Sequence, residues 1–281
     1  MSQLPPAADD APIVQTPHRY VVVEGPIGVG KTSLARRLAA SFGSDLVLEQ
    51  GEENPFLERF YRNPRGAAFQ TQLYFLFQRA RQLQDLRQQD MFQRVRVADY
   101  LLDKDRLFAR LTLDDEEYGL YEQVYARLAG QAGMGYSFAS HFSPTPARPA
   151  FDAYRAAFRP SAAFAAPHAI LGVSAICAPT DDEAQWLASA MELAWVRLRS
   201  GILAALPSPE EAAGYVYNDA ERRLARGFRD LVVVGTPEDV RRDLLARAAD
   251  ADASELMIVC NMHDHAARLR SFELIAEALA D

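Results

Sequence analysis

The sequence predicts an α/β fold built on a parallel sheet, and two observations lead to this prediction. The first is a glycine-rich loop at 24–32, which separates an apolar run at 20–23 from a helical pattern at 33–42. The second is the continued alternation of short apolar runs with longer helical patterns, an arrangement typical of parallel sheets. Ligands of such sheets bind beyond the carboxyl ends of the strands, so residues that directly follow strands are the first candidates for a site.

The glycine-rich loop predicts a site for the phosphates of ATP. Glycines allow main-chain N–H groups to turn towards a phosphate, and the following helix directs its positive end at the same anion. We expect Lys31 to reach the β- and γ-phosphates and Thr32 to hold Mg²⁺. The alternative is an accidental glycine turn. The predicted nucleotide-binding residues are Gly25, Gly28, Gly30, Lys31 and Thr32.

Composition and charge argue against several classes of protein. With 30 basic and 38 acidic residues, the formal net charge is −8, which disfavours a nucleic-acid-binding protein. No apolar run reaches the roughly 18 residues expected of a membrane-spanning helix. Polar, proline-containing residues at 1–17 predict a disordered lead-in rather than a signal peptide. Cys177 and Cys260 lie in apolar runs and are expected to be buried thiols, which indicates a reducing, cytoplasmic location.

Two acidic residues directly follow predicted strands in the first part of the chain. The strands lie at 45–48 and 95–98, and they are followed by Glu49 and Asp99. Because the carboxyl ends of parallel strands share one edge of a sheet, we expect Gly25, Glu49 and Asp99 to lie close together. Helices are predicted between and after these strands, at 56–61, 67–90, 103–111 and 114–128.

Several motifs in this part of the chain form a recognisable set, and on them residues 18–128 closely resemble the bacterial deoxynucleoside kinase family. The resemblance implies a kinase that uses ATP and Mg²⁺ to phosphorylate the 5′-hydroxyl of a deoxynucleoside. The motifs are Glu24-Gly25-Pro26-Ile27-Gly28-Val29-Gly30-Lys31-Thr32, then Glu49, then Asn54-Pro55-Phe56-Leu57-Glu58-Arg59-Phe60-Tyr61, Ala68-Phe69-Gln70-Thr71-Gln72-Leu73 and Asp99-Tyr100-Leu101-Leu102-Asp103-Lys104-Asp105-Arg106.

The resemblance also implies catalytic and metal-binding roles. Glu49 matches the carboxylate that accepts the proton of the 5′-hydroxyl, so Glu49 and Lys31 are the predicted catalytic residues. Asp99 matches a carboxylate near the phosphates, and Thr32 and Asp99 are the predicted Mg²⁺ ligands. Arg106 is expected nearby. Taken alone, Glu49 also fits a surface acid.

Three further residues are implied to bind the deoxynucleoside. Tyr61 matches a tyrosine that contacts the sugar, and Phe69 and Gln70 match an aromatic–glutamine pair that reads the base. An amide offers a donor and an acceptor together, which suits a base edge. Taken alone, Phe69 also fits a core residue, and Gln70 fits a solvated position on a helix.

The kinase pattern stops near residue 128, and a glycine- and proline-rich stretch at 130–149 follows. Such a stretch predicts a boundary between domains, at 18–129 and 130–281. A fourth parallel strand, a lid with clustered arginines and a fifth strand do not follow in order. Arg222, Arg223 and Arg226 are better explained as a solvated helix face than as this lid.

The second part of the chain resembles the C-terminal portion of another family, the luciferase-like flavin-dependent monooxygenases, which have a TIM-barrel fold. The resemblance spans about 133–279. The earlier barrel strands and a phosphate-binding motif are not in this chain, so we expect no bound flavin. The matching runs lie at 137–144, 154–161, 234–240, 255–259 and 263–271.

The residues themselves also predict α/β structure in this second part. Strands are expected at 169–178, 231–234 and 256–260, and helices at 181–199, 237–249 and 265–280. Thr180 is expected to cap a helix, and Asp264 and His265 to begin one. The spacing of Trp186, Met191 and Trp195 indicates a helix face in the core.

The sequence therefore predicts an incomplete kinase core followed by part of a barrel. The predicted function is ATP-dependent phosphorylation of a deoxynucleoside, impaired because the lid is missing. The alternatives are a flavin-dependent oxidoreductase and a nucleotide-binding protein without turnover. Because the fourth kinase strand is missing, residues 21–23 would form an unpaired edge. We expect the two parts to share one sheet or the chains to form homo-oligomers, the alternative being two poorly docked fragments joined by a flexible stretch at 130–149.

Overall fold

The computed structural model describes residues 20–25, 28–49, 51–88, 95–100, 104–143 and 145–280. The chain divides into two compact units, Met1–Tyr121 and Glu122–Asp281. The division falls inside one helix, Asp115–Gln131, so the glycine- and proline-rich stretch at 130–149 lies within the second unit.

The first unit contains a three-stranded parallel sheet in the order β1-β3-β2. Its central strand is buried at every position, as expected for a parallel strand with neighbours on both sides. Helix α1 packs on this sheet through Ala35 and Ala39, which contact a core containing Val23 and Val97. The elements are β1 (Tyr20–Val22), α1 (Lys31–Phe42), β2 (Asp45–Val47), a 3₁₀ turn (Gly51–Glu53), α2 (Leu57–Arg62), α3 (Pro64–Gln88), β3 (Arg96–Ala98), α4 (Lys104–Thr112) and α5 (Asp115–Gln131).

The glycine-loop strand β1 lies at the edge of this sheet. Among the described residues it pairs only with β3, and Tyr20 at its start is exposed. The predicted alternation of strands and parallel pairing is confirmed, and so is the expected edge position of β1.

The second unit contains a four-stranded parallel sheet organised around one long strand, β5. β5 pairs with β4, β6 and β7, and all but two of its nine residues are buried. The elements are β4 (Tyr136–Ala139), α6 (Arg148–Ala157), β5 (Ala169–Cys177), α7 (Asp181–Arg199), α8 (Pro209–Ala213), α9 (Asp219–Leu231), β6 (Val232–Gly235), α10 (Pro237–Ala251), β7 (Glu255–Val259) and α11 (His265–Ala280).

Side-chain caps set several helix starts in this unit. Thr180 accepts a hydrogen bond from the N–H of Glu183, as predicted, and Asp264 accepts one from the N–H of Ala267. Asn218 and Glu221 form a reciprocal capping box at the start of α9. These caps explain why helix boundaries here follow closely from the sequence.

The structure differs from the sequence-based expectations and their alternatives at three points. The stretch at 130–149 is not a flexible connection, because it contains β4, whose Tyr136 and Phe138 are buried in the main core of the second unit. Of the two outcomes expected for the strand edges, a shared sheet is not found, because the described strands form two separate sheets, and association between chains stays a prediction. Trp186 is 42% exposed rather than in the core, since it lies near the start of α7, where the buried residues Ala184 and Ala188 are on the opposite face of the helix.

Candidate functional site

The glycine-rich loop adopts backbone conformations that suit glycine. Gly28 and Gly30 have φ angles of 80° and 92°, in the left-handed region where a side chain is strained. Gly30 is also the N-cap of α1, and no described side chain caps this helix. The first N–H groups of α1 are therefore available for an anion, which is the arrangement of a phosphate site. Pro26 and Ile27 lie outside the described residues.

Asp99 connects the end of the glycine loop to Glu49, shortly after β2, at the carboxyl ends of the strands. One carboxylate oxygen accepts the hydroxyl of Thr32 at 2.5 Å, and the other accepts the main-chain N–H of Glu49 at 2.8 Å. Asp99 is only 5% exposed. Lys31 lies in the first turn of α1, immediately before Thr32, and is half-buried. The structure thus brings together Lys31, Thr32, Glu49 and Asp99 from three separate segments of the chain.

A buried arginine on α3, which the sequence did not single out, binds the side chain of Glu49. Arg79 is 6% exposed, and its guanidinium donates to Glu49 at 2.5 Å and also to Asp105. Its guanidinium lies over the rings of Phe75 and Tyr100, 5.3 Å from each centroid. A signal for Arg79 was available: it lies seven residues after Gln72, and so on the same face of α3.

Electrostatics in this cluster follow from burial and close pairing. Burial opposes the charge on Arg79, but the carboxylates of Asp105 and Glu49 together raise the pKa of its guanidinium. Burial raises the pKa of the Asp105 carboxyl, and Arg79 partly offsets this effect. Arg79 is therefore held as a cation between two acids.

A second pair of polar side chains reaches the main chain just before Glu49. Gln82 donates through Nε2 to the carbonyl oxygen of Leu48 at 3.0 Å. The hydroxyl of Tyr100 donates to Oε1 of the same amide. Burial raises the pKa of Tyr100, so its hydroxyl keeps its proton and acts as the donor.

The residues predicted to bind the deoxynucleoside lie on α2 and α3. Tyr61 is 69% exposed, and its ring packs 5.9 Å from that of Phe60. Phe69 is half-buried and Gln70 is exposed. Gln72, two positions further along, is buried and donates to the hydroxyl of Thr112 at 3.3 Å. α3 therefore presents two glutamines to different surroundings.

Arg106 lies on α4, one residue after Asp105. It is half-buried, and its neighbour Asp105 is the residue of this helix that pairs with Arg79. α4 thus contributes to the cluster through a carboxylate that the sequence did not predict. The signal for Asp105 was weak, because its partner Arg79 is 26 residues away.

The second unit has a different chemical character. Cys177 and Cys260 are buried free thiols, as predicted, and burial raises the pKa of Cys177 to about 11. The hydroxyl oxygen of Ser271 contacts both cysteines. It accepts the main-chain N–H of Cys177 at 2.9 Å and the thiol of Cys260 at 3.8 Å. In the part of the chain that the structure describes, no group of three or more His, Cys, Asp or Glu residues is arranged to hold a metal ion.

Comparison with known proteins matches the first and second parts of the chain to two different families, the same two that the sequence motifs resemble. Residues 21–136 match the deoxynucleoside kinase family. A deoxyguanosine kinase from Bacillus subtilis is 38% identical over 109 residues, which cover 38% of this chain and 52% of that protein. The chain resembles two families in succession. A luciferase-like monooxygenase from Escherichia coli K12 is 35% identical over 149 residues, which cover 53% of this chain and 44% of that protein.

These matches are partial, since the chain spans about half the length of the curated relatives that it matches. Among solved structures, apo-MsnO8 is 24% identical, with a TM-score of 0.53, and the match covers 89% of this chain and 73% of that protein. That likeness concerns the fold alone. No helix among the described residues is long and apolar enough to cross a membrane.

Proposed function

We propose that this chain binds ATP with Mg²⁺ and transfers the γ-phosphoryl group to the 5′-hydroxyl of a deoxynucleoside. The observation that carries the proposal is the placement of Asp99, which contacts both Thr32 of the glycine loop and Glu49 after β2. Similarity of residues 21–136 to deoxynucleoside kinases supports the same reaction.

The residues of the glycine loop fit a triphosphate. The left-handed glycines and the N-terminus of α1 present main-chain donors, and Lys31 adds a positive charge in the first turn of the same helix. Thr32 and Asp99 supply two oxygen atoms 2.5 Å apart, the hard ligands that Mg²⁺ prefers. When bound, Mg²⁺ would neutralise charge on the β- and γ-phosphates.

In the proposed reaction Glu49 is the general base. The 5′-oxygen forms a bond to the γ-phosphorus while the bond from that phosphorus to the bridging oxygen of ADP breaks. The hydroxyl proton passes to the carboxylate of Glu49. The side chain of Glu49 is 38% exposed, so a hydroxyl can approach it while Arg79 holds one of its oxygens.

The deoxynucleoside would lie beside α2 and α3. We propose Tyr61 as a sugar contact, Phe69 and Gln70 as base contacts, and Arg106 as a residue near the phosphates. Gln72 is a competing candidate for the base edge, because it is buried on the same face of α3 as Arg79, whereas Gln70 is exposed. Loss of deoxynucleoside binding in Gln72→Leu but not in Gln70→Leu would assign the base contact to Gln72.

Turnover is expected to be slow. The lid arginines of the kinase family have no counterpart by sequence order, and arginines that stabilise the transferred group contribute about 10³-fold or more in other phosphoryl-transfer enzymes. The test is release of ADP that depends on an added deoxynucleoside, with Glu49→Gln as the control for the base. Binding of ATP without such release would instead indicate a nucleotide-binding protein without turnover.

A flavin-dependent oxidoreductase is the second candidate function. The similarity of the second part of the chain to luciferase-like monooxygenases supports it. The earlier strands of the barrel are not in this chain, which favours the kinase reaction. Flavin absorbance in the purified protein distinguishes the two.

A further inference from the structure

The main chain that carries Glu49 is held from two directions. Asp99 accepts the N–H of Glu49 at 2.8 Å, and Gln82 donates to the carbonyl of the preceding residue, Leu48, at 3.0 Å. The two bonds hold the N–H and the carbonyl of the single peptide group that joins Leu48 to Glu49. Together they restrict the direction in which the side chain of Glu49 leaves the strand end.

Tyr100 connects this main-chain contact to the side-chain contact. Its hydroxyl donates to the amide oxygen of Gln82, which leaves the amide nitrogen to face Leu48. Its ring lies under the guanidinium of Arg79, which binds the carboxylate of Glu49 at 2.5 Å. Tyr100 is 6% exposed and directly follows Asp99.

These four side chains, Asp99, Gln82, Arg79 and Tyr100, therefore form a closed set of contacts around Glu49. Asp99 and Gln82 hold its main chain, Arg79 holds its carboxylate, and Tyr100 touches both Gln82 and Arg79. A general base must be held close to its productive geometry, because a displacement of about 1 Å can cost on the order of 10²-fold in rate. Rotation of the Gln82 amide, or loss of the Tyr100 hydroxyl that orients it, would remove the hydrogen bond to the carbonyl of Leu48.

We propose that Gln82 and Tyr100 are positioning residues that aim the carboxylate of Glu49 at the edge where Thr32 and Asp99 lie. Neither touches a reacting atom in this arrangement, and they act through Leu48 and Arg79. This role rests on the proposed function, because it is defined by the transfer of a proton to Glu49.

The test uses the full chain and two variants, Gln82→Met and Tyr100→Phe. Each removes hydrogen bonding while nearly preserving shape. Their matched controls are Gln131→Met, at an exposed glutamine of α5, and Tyr74→Phe, at a half-buried tyrosine of α3. Three quantities are measured in each protein: hydrogen exchange at the amide of Glu49, the Kd for Mg-ATP, and the single-turnover rate of phosphoryl transfer to a deoxynucleoside at saturation.

In both test variants the amide of Glu49 is expected to exchange its hydrogen at least about 10-fold faster than in wild type. Phosphoryl transfer should be about 10- to 100-fold slower, because a misplaced general base slows the chemical step. Their Kd for Mg-ATP should stay within about twofold of wild type, which also shows that they are folded. The controls should match wild type in all three measurements.

Two results overturn the positioning role alone: unchanged exchange at Glu49, or faster exchange with a transfer rate equal to wild type. The second would leave Gln82 and Tyr100 as structural residues only. Absence of any transfer or deoxynucleoside binding in the wild-type chain is a different failure. It overturns the proposed function and the positioning role together.

Discussion

At the scale of single residues, the chemistry of the first unit depends on side chains that share partners. Asp99 divides its two oxygens between Thr32 and Glu49, and Arg79 divides its guanidinium between Glu49 and Asp105. Each of these residues is more than nine-tenths buried or contacts one that is. Removing one partner therefore leaves a buried polar group unpaired, which costs more than the bond itself contributes.

Lys31→Ala is expected to weaken binding of Mg-ATP by about 2–4 kcal/mol, because it removes a charge-assisted contact to an enclosed phosphate. Isothermal titration calorimetry measures this directly. Arg36→Ala, at an exposed position on α1, is the control and should bind as wild type does. Equal affinity in Lys31→Ala and wild type would rule out the phosphate role of Lys31.

The thiol of Cys177 should be unreactive in the folded protein at pH 8. Burial raises its pKa to about 11, so the thiolate that reacts with iodoacetamide is scarce at this pH. The raised pKa also makes the free energy of unfolding depend on pH. Between the unfolded pKa of about 8.5 and the folded value, the thiol loses its proton only in the unfolded chain, so the folded state becomes less stable as the pH rises. Mass spectrometry after alkylation, with and without urea, measures the difference. Rapid labelling without urea would contradict it.

At the scale of elements, helix starts in the second unit are set locally and strand partners are not. Thr180, Asn218 and Thr236 each cap a helix by accepting the N–H three residues later. By contrast, β5 pairs with three strands that come both before and after it in the chain. Local hydrogen bonds explain why α7 and α11 begin where the sequence predicted. β4 was missed because a run of four residues that follows Gly133 and Gly135 is recognisable as a strand only beside β5.

Asn218→Ala is expected to lower the free energy of unfolding by about 1 kcal/mol, the usual effect of losing an N-cap. The substitution breaks the capping box with Glu221 at the start of α9. Urea denaturation followed by circular dichroism provides the measurement. Asn218→Asp keeps an acceptor at the cap and should retain most of the stability. Equal loss in both variants would show that the cap is not the cause.

At the scale of the whole molecule, the chain consists of two units, and each has its own parallel sheet. The first resembles part of a kinase, and the second resembles part of a monooxygenase. In each case the match covers about half of the relative's own length.

The purified chain is expected to carry no stoichiometric flavin. The reason is that the match covers only 44% of the luciferase-like monooxygenase, while residues 21–136 match the deoxynucleoside kinase family instead. The visible spectrum of protein purified without added cofactor is the measurement, and a heat-released supernatant serves as its control. About one FMN per chain would contradict the expectation and favour the oxidoreductase.

Self-association through the edge of the first sheet is a further expectation. β1 pairs on one side only among the described residues, and an unprotected edge strand is a template for pairing with another chain. Sedimentation velocity across a range of concentrations should detect species larger than a monomer. Tyr20→Pro removes the N–H of an exposed edge residue and should shift the distribution towards monomer. A monomer at all concentrations would exclude this route.

The sequence by itself determined the features that depend on local chemistry. The glycine loop, the parallel α/β class, the helix caps and the acids that follow β2 and β3 are all encoded within a few neighbouring residues. The two family resemblances are likewise carried by short motifs. For the same reason, the meeting of Glu49 and Asp99 was predictable, since parallel strands end at a common edge.

Only the tertiary structure decided which distant residues become partners. Arg79 pairs with Glu49 and Asp105 across 30 and 26 residues, and Gln82 reaches Leu48 across 34. The exposure of Trp186, the burial of Gln72 rather than Gln70, and the inclusion of β4 in a sheet were settled in the same way. The physical reason is that burial and pairing depend on which residues pack against a helix face or a strand edge. Those residues come from distant parts of the chain, so local sequence does not specify them.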